Sequence, residues 1–216
     1  MRPQNCAFDG RFTVPTFDEI MQLANDANRR GTARIGVYPE TKHPAHFAAI
    51  GLPLELALLD TLRRYQYAKT GSPVFIQSFD PQNLQQLRTM TRLPLVQLLE
   101  HALGDPSAIA RYADAIGIAK ALATPEAVQA AHAANLQVHV WTFRAENEFL
   151  PGDLQVGGDR GAHGDLEAEI RRYLDRGIDG FFVDFPATGV RVRDAYISAL
   201  QPLHQPRTDT ALPANN

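Results

Sequence analysis

Several residues able to do chemistry stand just after short apolar runs. Glu40 and Lys42 follow the run at 33 to 38 within the stretch YPETKHP, with one residue between them. Side chains alternate along an extended chain, so this carboxylate and this ammonium point to the same side. A carboxylate suits a hard cation such as Mg²⁺ or Ca²⁺, which takes oxygen ligands, and an ammonium suits a phosphoryl oxygen as a point charge. The same pair also reads as a solvated Glu and Lys in a loop, because charged side chains are mostly exposed.

Later runs end in the same way. Ser78, Phe79 and Asp80 close one, Glu100 the next, and Lys120 lies in the one after. Trp141, Thr142 and Arg144 end a fifth run, and Asp184 sits in a sixth between Val183 and Phe185. Trp141 is the only tryptophan, and it reads either as core or as a platform for a ligand. Asp184 reads either as a buried partner of backbone N–H groups or as a site carboxylate. His43, His46 and His101 lack metal-ligand spacing, and His132 and His139 fall in a helix and a strand where packing is their expected role. Cys6 is the only cysteine, which excludes an internal disulfide and a cysteine-based zinc site.

The elements that must position these residues alternate in type. Thr16 and Glu19 have the T-x-x-E relation of a capping box ahead of Phe17, Ile20, Met21 and Ala24, which predicts a first helix ending at Gly31. Strands are predicted over 33–38, 73–79, 93–99, 114–122, 137–143 and 180–185. Helices are predicted between and after them, over 54–69, 81–91, 106–112, from Pro125, over 166–176 and over 190–200. This alternation means βαβ units and a parallel sheet. No G-x-G-x-x-G opens a helix, which favours a closed barrel over a dinucleotide-binding sheet. In such barrels the chemistry sits at the C-terminal strand ends, where the residues named above lie.

Composition narrows the partners. The 216 residues are 44% hydrophobic, enough for one domain over 1–200, with residues 201–216, rich in Pro and Thr, expected to be a disordered tail. A net charge of -3 provides no basic field for nucleic acid, so an anionic ligand must be met locally. No apolar run reaches bilayer length, so no stable membrane insertion is expected, and no signal-peptide pattern opens the chain. The glycine-rich stretch from Ala145 to Gly164 is expected to lie over the site.

Four stretches in order, IGVYPETKHP, FIQSFD, QVHVWTFRAENEFLP and GIDGFFVDFP, resemble the glycerophosphodiester phosphodiesterase family over roughly residues 12–195. The resemblance implies an α/β TIM (β/α)8-type barrel that cleaves glycerophosphodiesters to glycerol 3-phosphate and an alcohol with Ca²⁺ or Mg²⁺. It implies Glu40 as a metal carboxylate, Lys42 as the catalytic and phosphate-binding lysine, and Trp141 as a wall of the substrate pocket, with Ser78 and Phe79 in support. The family's His-Arg-Gly motif, its Glu-x-Asp metal pair and its second histidine, followed by Asp, are not found here. The chain therefore resembles the last six of eight strand-helix units, and an incomplete, truncated form without activity is expected, prone to self-association through open barrel edges. The alternatives are a catalytically dead relative that binds phosphoesters or a partner, and a related phospholipase-type barrel. The YPETKHP stretch is similar to secreted bacterial members, which implies a periplasmic parent.

Overall fold

The computed structural model describes residues 2–31 and 35–200, so the expected tail at 201–216 lies outside the described residues. Helix α1 (Phe17–Arg30) starts where the capping box places it, with the Glu19 N–H donating to Thr16 Oγ1 at 3.3 Å and the Thr16 N–H donating to Glu19 Oε2 at 2.6 Å. A short helix that sequence periodicity did not announce, α2 (Pro44–Ala49), precedes α3 (Leu54–Arg64). The chain then alternates through β1 (Ile76–Ser78), α4 (Pro81–Met90), β2 (Leu95–Leu99), α5 (Pro106–Ile109), β3 (Ala115–Ala119), α6 (Pro125–Ala133), β4 (Gln137–Phe143), α7 (Leu166–Leu174), β5 (Gly180–Val183) and α8 (Pro186–Leu200). Several helices begin on a short polar cap: Asp80 for α4, Asp105 for α5, Thr124 for α6 and Asp165 for α7 each accept a backbone N–H of the first turn.

All five strands are parallel and neighbour one another in chain order. An open doubly wound sheet reverses its order at a switch point; strict succession belongs to a barrel wall. The outward side chains Ile76, Leu95, Ile116, Ile118, Val138 and Val140 are fully buried and pack with Leu59, Leu62, Leu84, Leu87, Val128 and Ile170 of the covering helices. The opposite face lines the inside of the curl. Tyr38 sits on the chain that precedes β1, yet its ring lies 4.8 Å from that of Phe182 in β5, and its hydroxyl is 2.7 Å from His139 Nδ1 in β4. The two ends of the sheet therefore face each other across a shared interior.

The first expected strand, at 33–38, is not a regular strand in its described part. Bridges at Val37 with Val74 and Glu40 with Gln77 set the chain parallel to β1, and four hydrogen bonds join the two segments. Val37 N–H donates to Pro73 O, Phe75 N–H to Val37 O, Gln77 N–H to Pro39 O, and Thr41 N–H to Gln77 O, at 2.9–3.2 Å. The rung that Pro39 would supply is missing because proline has no N–H. A regular ladder is thus broken at one residue, and the segment still sits in a strand's place beside β1.

Candidate active site

The inner face of this interrupted strand is fixed by what its outer face grips. Thr41 is buried, its hydroxyl donating to Asn83 Oδ1 at 2.6 Å, while Asn83 Nδ2 donates to the buried Glu55. Ser78, also fully buried, donates to Thr41 O at 3.1 Å and accepts the Asp80 N–H at 3.2 Å. With Thr41 held outward from both sides, alternation turns Glu40 inward, and both Glu40 and Lys42 are exposed. Immediately after Lys42 the backbone turns, with His43 in the left-handed region at φ 51, into α2.

Glu40, Gln77, Phe79, Leu98, Trp141 and Phe182 line a cleft of about 240 Å³ at the C-terminal strand ends. Trp141 is half-buried and anchored by its indole N–H, which donates to Gly117 O at 3.0 Å. The Phe79 ring meets it edge-on, with centroids 6.0 Å apart and planes at 83°. The peptide bond from Trp141 to Thr142 is cis, and the β4–β5 register shifts between Val140 and Phe143. The cleft thus brings one carboxylate together with an aromatic corner and the uncharged polar residues Gln77 and Thr142. Below this layer Tyr38, Phe75, His139 and Phe182 pack ring against ring. Burial pushes the His139 imidazole below its ordinary value and the Tyr38 phenol above its own, so both are neutral at pH 7.

Of the residues singled out from sequence, the structure gathers Glu40, Phe79 and Trp141 on this cleft, while Lys42, exposed two residues beyond Glu40, is not among the residues that line it. Ser78 stands behind the wall and acts on it through Thr41. Asp80 caps α4. Lys120 leaves the strand ends altogether, donating to Glu169 Oε1 at 2.7 Å and to Phe149 O at 2.9 Å. The stretch at 145–164 folds against this lysine and α7, with 3₁₀ turns at Asn147–Phe149 and Gly152–Leu154, and contributes no cleft-lining residue among the described ones. Gln77 and Asn83 were missed: each lies among apolar or capping residues, and no spacing rule marks it.

Asp184 is neither a buried backbone acceptor nor a cleft residue. Its carboxylate accepts from Arg2 at 2.9 Å and from Arg144 at 3.1 Å, and Arg2 also pairs with the buried Glu146. The Arg2 guanidinium holds the Glu146 carboxyl below the usual carboxylate range, against the opposing effect of burial. A carboxyl whose folded value is depressed adds stability above its unfolded value, about 4.3, and loses it as the pH falls. Hydrogen exchange at residues 3–11, corrected for intrinsic rates, is therefore expected to accelerate below about pH 4.3, and Glu146→Gln is expected to bring the same acceleration at pH 7. Unchanged protection in Glu146→Gln at pH 7 would show that this ion pair does not hold the segment.

A metal site can be tested against these donors. Ca²⁺ or Mg²⁺ takes six or more oxygens. Among the described residues no three His, Cys, Asp or Glu side chains stand together as a group that could hold such a cation. No described helix is long and apolar enough to cross a membrane.

Residues 1–188 match the Glycerophosphoryl diester phosphodiesterase family. The chain is 30% identical over 217 positions to a glycerophosphodiester phosphodiesterase of Arabidopsis thaliana, an alignment covering 82% of this chain and 55% of that protein. A crystal structure described as a glycerophosphoryl diester phosphodiesterase from Silicibacter pomeroyi DSS-3 superposes with a TM-score of 0.63 at 23% identity, over 85% of this chain and 57% of that one. A phosphodiesterase from Oleispira antarctica, solved with the product sn-glycerol-3-phosphate, gives a TM-score of 0.60 at 14% identity, over 84% of this chain and 62% of that one. The chain spans 55% and 58% of the lengths of two curated relatives that it matches. Such structural neighbours are TIM barrels, and the five-stranded curled sheet corresponds to one side of that architecture.

Proposed function

The chain belongs to the glycerophosphoryl diester phosphodiesterase family, and from that premise we propose that its strand-end cleft is one wall of a site for hydrolysing glycerophosphodiesters to glycerol 3-phosphate and an alcohol. The observation that carries this is the meeting, in one cleft, of Glu40 with the Phe79 and Trp141 corner. A glycerophosphoryl group is anionic at one end and carbon-rich at the other, and this cleft has a cation's ligand at one side and apolar rings at the other. Glu40 would serve as one carboxylate ligand to a divalent metal, Ca²⁺ or Mg²⁺, which would supply positive charge to neutralise the phosphoryl group. Lys42 reaches a phosphoryl oxygen as a point charge, and the Phe79 and Trp141 rings cover the glycerol carbons. Ser78 supports the wall by fixing Thr41.

Hydrolysis also needs an acid to protonate the departing alkoxide and a base to prepare the attacking group. Among the described residues the cleft wall carries one carboxylate and no imidazole. We therefore propose that the 216-residue chain alone binds the phosphoester without turning it over. The same feature favours a second reading, a phosphoester-binding relative with no catalytic role. Incubation with glycerophosphocholine and Ca²⁺ or Mg²⁺, with choline release followed, is expected to give no product above the metal-only blank. Turnover that disappears in Glu40→Ala would sink the inactivity and keep the site.

Two structural proposals accompany this. Residues 1–200 act as one unit and should melt in one cooperative step. Among the described residues no strand pairs beyond the interrupted strand beside β1 or beyond β5, and Phe12, Val14 and Leu23 are exposed. Self-association that rises with concentration in sedimentation is expected, and a single monomeric species throughout would count against it.

A further inference from the structure

Gln77 carries the register position opposite Glu40 and forms part of the cleft wall. The residue is 9% exposed, and its Oε1 is buried with no hydrogen-bond partner. Its backbone is fully used, the N–H donating to Pro39 O and the carbonyl accepting from Thr41 N–H, so the side chain is not needed to hold the strand. The contrast with the neighbouring strand is direct: Gln97, buried to a similar degree, has its amide bonded to backbone carbonyls and to the Tyr112 hydroxyl. A buried amide oxygen without a partner is costly in a folded protein and calls for a donor that the chain does not supply.

Phosphate cannot fill this need, because a phosphoryl dianion has no proton to donate. A hydroxyl can, since it donates to an amide oxygen and accepts from an amide N–H at once. Resting on the proposed phosphoester site, we infer that Gln77 is the residue that reads a free hydroxyl on the ligand, so that the cleft prefers a polyol phosphoester over one with a plain alkyl chain. Its neighbours fit the division of labour. Glu40 is the charged member, Phe79, Leu98 and Trp141 provide apolar cover, and Gln77 and Thr142 are the uncharged polar residues that line the cleft.

The test uses the full chain with Ca²⁺ and two probes, glycerol 3-phosphate and propyl phosphate, titrated by calorimetry or by ligand-observed NMR. Wild type is expected to bind glycerol 3-phosphate about tenfold more tightly than propyl phosphate, the worth of one well-made hydrogen bond. In Gln77→Met, close in volume and without the amide, that ratio is expected to fall to about one. Gln77→Glu, which keeps an acceptor, is expected to retain part of the preference. A tenfold preference that survives in Gln77→Met overturns the inference and leaves the phosphoester site standing. Loss of both probes in Gln77→Met makes Gln77 a structural residue and also overturns it. A change only in the calcium dependence of binding assigns the amide to the cation instead. If wild type binds neither probe, the phosphoester site itself is wrong and the inference falls with it.

Discussion

Replacing Lys120 by methionine is expected to lower the unfolding free energy by about 3–5 kcal/mol, because it strands a buried carboxylate. Glu169 is 3% exposed, one of its oxygens accepts from Lys120 Nζ at 2.7 Å, and the other has no partner. Lys120 also ties Phe149 O and lies over the Phe143 ring, so one ammonium joins the stretch after β4, the strand itself and α7. Burial raises the Glu169 carboxyl above its ordinary value even with this lysine beside it. A carboxyl whose folded value is raised adds stability below its unfolded value, about 4.3, and loses it as the pH rises through the folded value. Without Lys120 the folded value rises further, so the deficit of Lys120→Met should be greatest near pH 7 and shrink as the pH is lowered. Urea unfolding at several pH values checks this. The double variant Lys120→Met, Glu169→Leu should recover much of the loss, since no unpaired charge is left behind. A single variant as stable as wild type at pH 7 would mean that water reaches Glu169.

Lys120 shows where residue patterns stop being informative. Its position at the end of β3 made it a site candidate by the same rule that picked out Glu40, and in the structure its side chain runs to a carboxylate 49 residues later. Asp184 was ambiguous for the same reason, with a partner in Arg2 182 residues away. Partners separated this far are set by packing and leave no local trace. Features set by neighbouring residues were legible: the Thr16–Glu19 capping box, the proline-led starts of α4 and α6, and the limits of β4 all stand where the sequence puts them. The interrupted first strand lies between these cases. Pro39 is visible in the sequence, but which rung it removes depends on the register with β1. Of the cleft, the charged and aromatic members were legible from type and strand-end position. Gln77 was not, since an amide inside PVFIQSF reads as one polar residue in a strand until its missing partner is seen.

The second large effect is expected at Lys42. The side chain is exposed, so its removal should leave the fold intact and act on the ligand alone. A charge-assisted hydrogen bond to a phosphoryl oxygen is worth about 1.5–3 kcal/mol. Lys42→Ala is therefore expected to weaken glycerol 3-phosphate binding by about 10- to 100-fold, with the melting temperature unchanged. Lys42→Arg should recover only part of the affinity, because the planar guanidinium needs a different approach from a point charge. Salt dependence provides a check, since the affinity of Lys42→Ala should fall less steeply with ionic strength than that of wild type. Equal binding by Lys42→Ala and wild type would remove this lysine from the site.

Glu40, turned inward by the clamp on Thr41, is proposed to place a metal ligand beside a phosphoester, and one titration tests this most directly. Glycerol 3-phosphate is titrated into the chain with Ca²⁺ and again with the metal chelated, for wild type and for Glu40→Gln, which keeps size and removes charge. The expected result is severalfold tighter binding with Ca²⁺ in wild type and no difference between the two conditions in Glu40→Gln. Calcium enhancement of equal size in both proteins, or none in wild type, would contradict it.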